Sequence, residues 1–235
     1  MERLFEAQME KLKNRILKMC SLVDEQIESA IRAIEEENIE LAKQVIEKDG
    51  KVDKYDVKID KVCQKLLALR QPVATDLRFI MSALTINNNL ERMGDIAVNI
   101  AENFLLHKKK PSFLDSSNFT PMTKLVREMI RNSIDAFINN DPKLAQKVIE
   151  SDDKLDKLNV ENHQLLIKIM KEDVNNIEAA VALIVICRQL ERLGDHATNI
   201  AEDVYFIVEA QMIKHKYVKY LFGGDIEDDE EEKET

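Results

Sequence analysis

Eight acidic residues of this chain fall into two matched sets. Glu91 and Asp95 stand four residues apart, as do Glu191 and Asp195. The first pair continues at helical spacing through Asn99 and Glu102, the second through Asn199 and Glu202. Upstream, Asp49 and Asp53 are matched by Asp152 and Asp156. Residues four apart share one helix face, so each set is a carboxylate stripe. Like charges at that spacing destabilise a helix by roughly 0.2–0.5 kcal/mol per pair. A multivalent cation between them turns the repulsion into binding. Carboxylates without Cys and with little His select hard ions: magnesium, calcium, manganese or iron, with zinc less favoured.

A single Glu-x-x-x-Asp is ordinarily solvated surface, and Arg92 or Arg192 could neutralise a neighbouring acid. Duplication and level set these apart. Asp49 and Asp95 lie equally far from Pro72, and so do Asp53 and Glu91. Asp152 and Asp195, and Asp156 and Glu191, are likewise centred on Asp173–Val174. If each centre is the turn of an antiparallel helical hairpin, the four carboxylates of each set share one height. Spacing does not fix helix rotation, so it does not say whether they face each other. Glycine inside a helix costs about 1 kcal/mol against alanine. Gly94 and Gly194, beside Asp95 and Asp195, therefore mark either close backbone approach at the clusters or tight helix packing. His107, His163 and His215 have no partners at ligand spacing and read as surface or packing residues. His196 follows Asp195 directly, so it points roughly 100° away on a helix and is not read as a ligand. No phosphate-cradling glycine loop, GxSxG or HExxH occurs.

The elements that must position these residues repeat. Leu90–Glu102 (LERMGDIAVNIAE) and Leu190–Glu202 (LERLGDHATNIAE) agree at ten of thirteen positions. Leu41–Glu47 matches Leu144–Glu150 at five of seven. Two matches in the same order mean a duplicated unit. Each copy reads as three helices. In the first, Leu4 to about Glu37 is one amphipathic helix, with Asn38 available to cap the next. Leu41 to Leu69 carries Val45, Val52, Tyr55, Ile59, Val62, Leu66 and Leu69 at helical spacing. Pro72 turns the chain and Thr75 is the expected N-cap of a third helix, with Ile86, Leu90, Met93, Ala97, Ile100 and Phe104 as its seam. In the second copy Thr120-Pro121 and Asp141-Pro142 read as helix starts. Asp173 or Asn175 caps the last helix, whose seam is Ile186, Leu190, Leu193, Ala197, Ile200 and Val204. The expected fold is all-α: two tandem three-helix bundles related by pseudo-two-fold symmetry. The expected boundaries are 1–110, a linker at 111–120, 121–222, and a disordered acidic tail at 223–235.

Composition narrows the classes. The chain has 235 residues, 45% hydrophobic and 33% charged, with only five Gly and four Pro, a helix-rich profile. A net charge of −10 argues against nucleic acid. Cys20, Cys63 and Cys187 form no CxxC pair, and an odd count suits a reducing compartment. Met1–Lys13 has no apolar signal core, and the longest apolar run, Ala179–Cys187, is too short to span a bilayer. A soluble, cytoplasmic protein is expected.

With these residues in place, the chain resembles the PhoU family of phosphate-signalling regulators from about residue 4 to 222. The resemblance rests on the two LER-x-GD-x-A-x-NIAE segments, on the pairs Asp49/Asp53 and Asp152/Asp156, and on Arg70-Gln71-Pro72-Val73-Ala74-Thr75-Asp76-Leu77-Arg78. It implies a non-catalytic negative regulator of the phosphate-starvation response and of phosphate uptake. Such a regulator links the ATPase subunit of a phosphate ABC transporter to a membrane-bound sensor histidine kinase, and homodimers or higher oligomers are common. It also implies multinuclear metal clusters, iron among the metals, with manganese, magnesium or zinc as alternatives. Carried over, the ligands are Asp49, Asp53, Glu91, Asp95, Asp152, Asp156, Glu191 and Asp195, with Asn99, Glu102, Asn199 and Glu202 as additional candidates. The rival reading from another class is a carboxylate-bridged di-metal iron enzyme. The lack of Glu-x-x-His pairs counts against it.

Overall fold

A computed structural model describes residues 2–211. The acidic tail expected at 223–235, and the end of the second repeat expected at 222, lie outside the described residues. Among these residues there is no strand. The helices are α1 (Glu2–Glu35), α2 (Ile39–Lys48), α3 (Gly50–Arg70), α4 (Ala74–His107), α5 (Phe119–Asn139), α6 (Pro142–Glu172) and α7 (Ile177–Glu209). The chain is all-α and built from a tandem duplication, α1–α4 followed by α5–α7.

Local chemistry sets most of the breaks. Asn38 accepts the Leu41 amide through Oδ1 at 2.9 Å and starts α2. Asp141 accepts from the amides of Lys143 and Leu144, with Pro142 at the first helical position. Three starts differ from expectation. α4 begins at Ala74 with Val73 at the cap and no side-chain cap bond, so Thr75 lies inside the helix. α5 begins at Phe119, two residues before Pro121, because the buried Asn162 side chain accepts the Asn118 N–H at 2.9 Å and draws the chain in there. Asp173 caps a short 3₁₀ turn, Val174–Asn176, and α7 follows from Ile177.

The middle arm of the first repeat is not one helix. It breaks at Asp49, which keeps right-handed helical angles (φ −56°, ψ −41°), so α3 continues nearly in line with α2. Its counterpart α6 runs unbroken past Asp152.

Packing puts α3, α4, α7 and α6 side by side in a row. Behind it, α1 lies on α3 and α4, and α5 lies on α6 and α7, with α1 touching α5. The start of α4 at Phe79 shares a cleft with the end of α7 at Ile207, and its end at Phe104 meets the start of α7 at Leu183. α4 and α7 are thus antiparallel, as a pseudo-two-fold between repeats requires. Both expected seams are buried throughout, from Ile86 to Phe104 and from Ile186 to Val204. Leu69 departs from expectation: it is 64% exposed, because the hairpin turns directly after Arg70 and leaves nothing to cover it. Cys20, Cys63 and Cys187 are buried and unpaired, and burial pushes each thiol up to about 12. They act as small apolar core residues.

Candidate metal centre

Each hairpin carries its four carboxylates on two adjoining helices. In the first, Asp49 sits at the α2–α3 break, Asp53 in the first turn of α3, and Glu91 and Asp95 midway along α4. In the second, Asp152 and Asp156 lie on α6 and Glu191 and Asp195 on α7. In the first hairpin the Asp49 carboxylate lies against the Gly94 surface of α4, and in both hairpins the two stripes are close enough to repel. Partial burial first, then the charges of Asp53 and Asp95, hold the Asp49 carboxyl above its ordinary range. Burial and then Asp95 raise Glu91.

Crowding is stronger in the second hairpin. Burial, then Asp195 and Asp156, push Asp152 up to about 6. Burial, then Glu191 and Asp156, push Asp195 to about 6 although the residue is exposed at the surface. Burial and then Asp156 raise Glu191. As the side chains stand, no three His, Cys, Asp or Glu groups among the described residues converge on one point.

The companions of the two clusters differ. Arg92 stands 3.5 Å from both Glu91 and Asp95, a loose exposed pairing. Arg192 instead donates to the Gln189 amide oxygen at 3.2 Å. In the first hairpin the Gln26 amide of α1 donates to Asp49 Oδ1 at 2.9 Å and to the Val45 carbonyl at 3.3 Å. The glycines differ as well. A methyl at Gly94 would meet Gln26 Oε1 and Val52 Cγ1 at 3.4 Å and Asp49 Oδ1 at 3.5 Å, so this glycine lies against the cluster. A methyl at Gly194 would overlap Leu155, so that glycine serves helix packing.

The additional candidates do not all join the clusters. Asn99 and Glu102 are exposed and Glu202 is half-buried. Asn199 donates to Asn89 Oδ1 at 3.3 Å, across the α4–α7 seam. His196 meets the same oxygen through Nδ1 at 2.9 Å. It is a seam residue, as expected of a side chain turned away from Asp195. His163 is exposed, His107 half-buried, and His215 lies outside the described residues.

Duplicated acidic spacing does not single out Gln26, Asp56, Asp60 and Asn87. Buried Asn87 donates to Asp56 Oδ1 at 2.6 Å and to Asp60 Oδ1 at 3.1 Å, which extends the acidic stripe of α3. Their counterparts at the repeat offset are Asn159 and His163 for the two acids and Met129 for Gln26. A search for duplicated acids passes over all of them. The signal available for Asp56 and Asp60 was their helical spacing from Asp53.

The donor set is oxygen throughout, in two clusters whose charge lacks full compensation. It fits a hard cation, for which the eight carboxylates would supply the ligands. Solved and catalogued proteins agree with this architecture. The PhoU domain family model matches twice, at residues 16–104 and 119–204. The chain belongs to the PhoU family. It is 40% identical over 212 residues to the phosphate-specific transport system accessory protein PhoU homolog of Aquifex aeolicus, covering 90% of this chain and 96% of that one. It is 33% identical over 224 residues to the accessory protein PhoU of Serratia marcescens, covering 94% of this chain and 88% of that one. The crystal structure of PhoU from Pseudomonas aeruginosa superposes with a TM-score of 0.84 at 33% identity, over 88% of this chain and 100% of the other. The phosphate transport system regulatory protein PhoU from Streptococcus pneumoniae gives a TM-score of 0.79 at 26% identity, over 89% and 99%. These PhoU proteins are named for accessory and regulatory roles, and the chain is of that non-enzymatic kind. No helix among the described residues is long and apolar enough to cross a membrane.

Proposed function

We propose that this chain is a metal-binding regulator accessory to a phosphate transport system. In this reading it works in the cytoplasm as a homodimer or larger assembly, restraining phosphate uptake and the starvation response. It docks on the ATPase subunit of the transporter and on the sensor histidine kinase of the phosphate regulon. Membership of the family and the transport-system names of its relatives support the transport context.

The observation that carries the metal reading is the placing of Asp152 and Asp156 on α6 beside Glu191 and Asp195 on α7, close enough that Asp195 and Asp156 raise Asp152 and that Glu191 and Asp156 raise Asp195. Iron is the metal of choice, with manganese, magnesium or zinc able to use the same oxygens. When bound, the cation neutralises the acidic face and gives a partner a less repulsive surface. The four carboxylates of each hairpin would hold it.

The test is elemental analysis of the purified chain, with binding of the ATPase subunit measured before and after complete chelation. Stoichiometric metal and weaker partner binding after chelation are expected. Unchanged partner binding after chelation would sink the link between metal and docking. Absence of affinity for iron, manganese and magnesium would leave a helical adaptor with surface acids.

A further inference from the structure

The two repeats place different residues behind their first aspartate. Gln26 of α1 and Met129 of α5 are equivalent: each stands beside the helix glycine of its own hairpin, Gln26 at Gly94 and Met129 at Gly194. They are separated by the same offset as Asp49 and Asp152. Gln26 is only 4% exposed. Its Nε2 holds Asp49 Oδ1 at 2.9 Å, while its Oε1 is buried with no hydrogen-bond partner. That orphan oxygen flanks the same Gly94 surface as the Asp49 carboxylate.

A buried unpaired amide oxygen is destabilising, a cost the thioether at 129 does not incur. The amide therefore needs an offsetting contribution. The helix break supplies the reason for one. Asp152 lies inside unbroken α6, whose ladder fixes its backbone, whereas Asp49 lies at the junction of α2 and α3. A charge-assisted bond from a buried amide is a way to hold a ligand where the backbone ladder is interrupted.

We propose that Gln26 is a positioning residue for Asp49 and sets the cation affinity of the first cluster by a means the second cluster lacks. The proposal rests on the metal reading above and deepens it. Gln26→Met installs the residue that the second repeat already accommodates at the same place, so the fold tolerates it.

The experiment isolates each cluster in the full chain and titrates it with manganese(II) by calorimetry. E191Q/D195N leaves the first cluster and D53N/E91Q leaves the second. Adding Gln26→Met is expected to weaken manganese binding about 10- to 100-fold in the first background and to leave the second within twofold. Thermal denaturation without metal monitors folding. Unchanged affinity in the first background overturns the proposal, even if the melting temperature falls, because a purely structural glutamine would behave that way. Equal weakening in both backgrounds overturns it as well. Absence of manganese binding in both backgrounds before Gln26 is altered overturns the metal reading, and this proposal with it.

Discussion

His196 Nδ1 and Asn89 Oδ1 stand 2.9 Å apart across the seam where α7 of the second repeat meets α4 of the first. The amide oxygen only accepts, so the imidazole carries its proton on Nδ1. Burial first, then the charges of Arg192 and Arg92, hold His196 below its ordinary pKa. It is neutral at pH 7 and joins the repeats as a donor. His196→Ala leaves Asn89 Oδ1 with Asn199 as its remaining donor. A loss of about 1 kcal/mol in urea unfolding is expected, with cation affinity unchanged.

The equivalent glycines respond in opposite senses. At Gly94 the nearest atoms to an added methyl are at ordinary contact distance, 3.4 Å. Alanine there keeps its helix-propensity gain of about 1 kcal/mol. At Gly194 the methyl runs into the end of the buried Leu155 side chain, which must shift to admit it. Overpacking of this kind costs about 1–3 kcal/mol. Gly94→Ala is expected to be neutral or stabilising and Gly194→Ala destabilising, read as shifts of the denaturant midpoint at constant m-value.

Without metal, stability depends on pH through Asp152 and Asp195. Both carboxyls are raised from 3.8 to about 6 in the folded chain. Between those values the native state binds more protons than the unfolded state, so stability falls as pH rises from about 4 to 6. The penalty is fully present at pH 7. Both groups have partial access to water, which screens the effect to about 1 kcal/mol in total. The metal-free chain is therefore expected to melt a few degrees lower at pH 7.5 than at pH 5, relative to D152N/D195N, which should show a flatter profile.

Neutralising the second cluster separates its two consequences. E191Q/D195N removes the repulsion and is expected to raise the metal-free melting temperature at pH 7.5. The same change removes half of the binding capacity. In wild type, a cation at about a hundred times its dissociation constant adds about 2.7 kcal/mol per site. The variant is expected to gain stabilisation from one cluster instead of two on manganese addition, as followed by differential scanning calorimetry.

The buried amide at Asn162 gives a check on the fold itself. Its Oδ1 accepts the Asn118 N–H and its Nδ2 donates to Cys187 Sγ at 3.2 Å, so it ties the start of α5 to α6 and α7. Asn162→Leu leaves the Asn118 N–H without that acceptor. A loss of about 1–3 kcal/mol, with faster hydrogen exchange at the start of α5, is expected.

Much of this was legible in the residue string. Ten identities between Leu90–Glu102 and Leu190–Glu202 announced the duplication. The spacing of Ile86 through Phe104 announced a buried helix face, because the helical period is a local property. The equal distances of Asp49 and Asp95 from Pro72 placed them at one height for the same reason. Asn38 and Asp141 act as the expected caps, since a cap bond spans only two or three residues. Thr120-Pro121 failed as a helix start where a distant contact, Asn162 at α5, decided, and Thr75 lies inside α4, which starts at Ala74 without a side-chain cap bond.

Sequence alone thus determined the repeat, legible as direct identities between distant segments, and the helices and acidic stripes, which depend on periodicity within about a dozen residues. Only the tertiary structure decided that the stripes of each hairpin lie close enough to repel, that Gln26 reaches Asp49 from α1, and that Gly94 and Gly194 have different neighbours. Those relations depend on how far each helix is rotated about its axis. That rotation is set by the simultaneous packing of three helices, and no single stretch of the chain contains it.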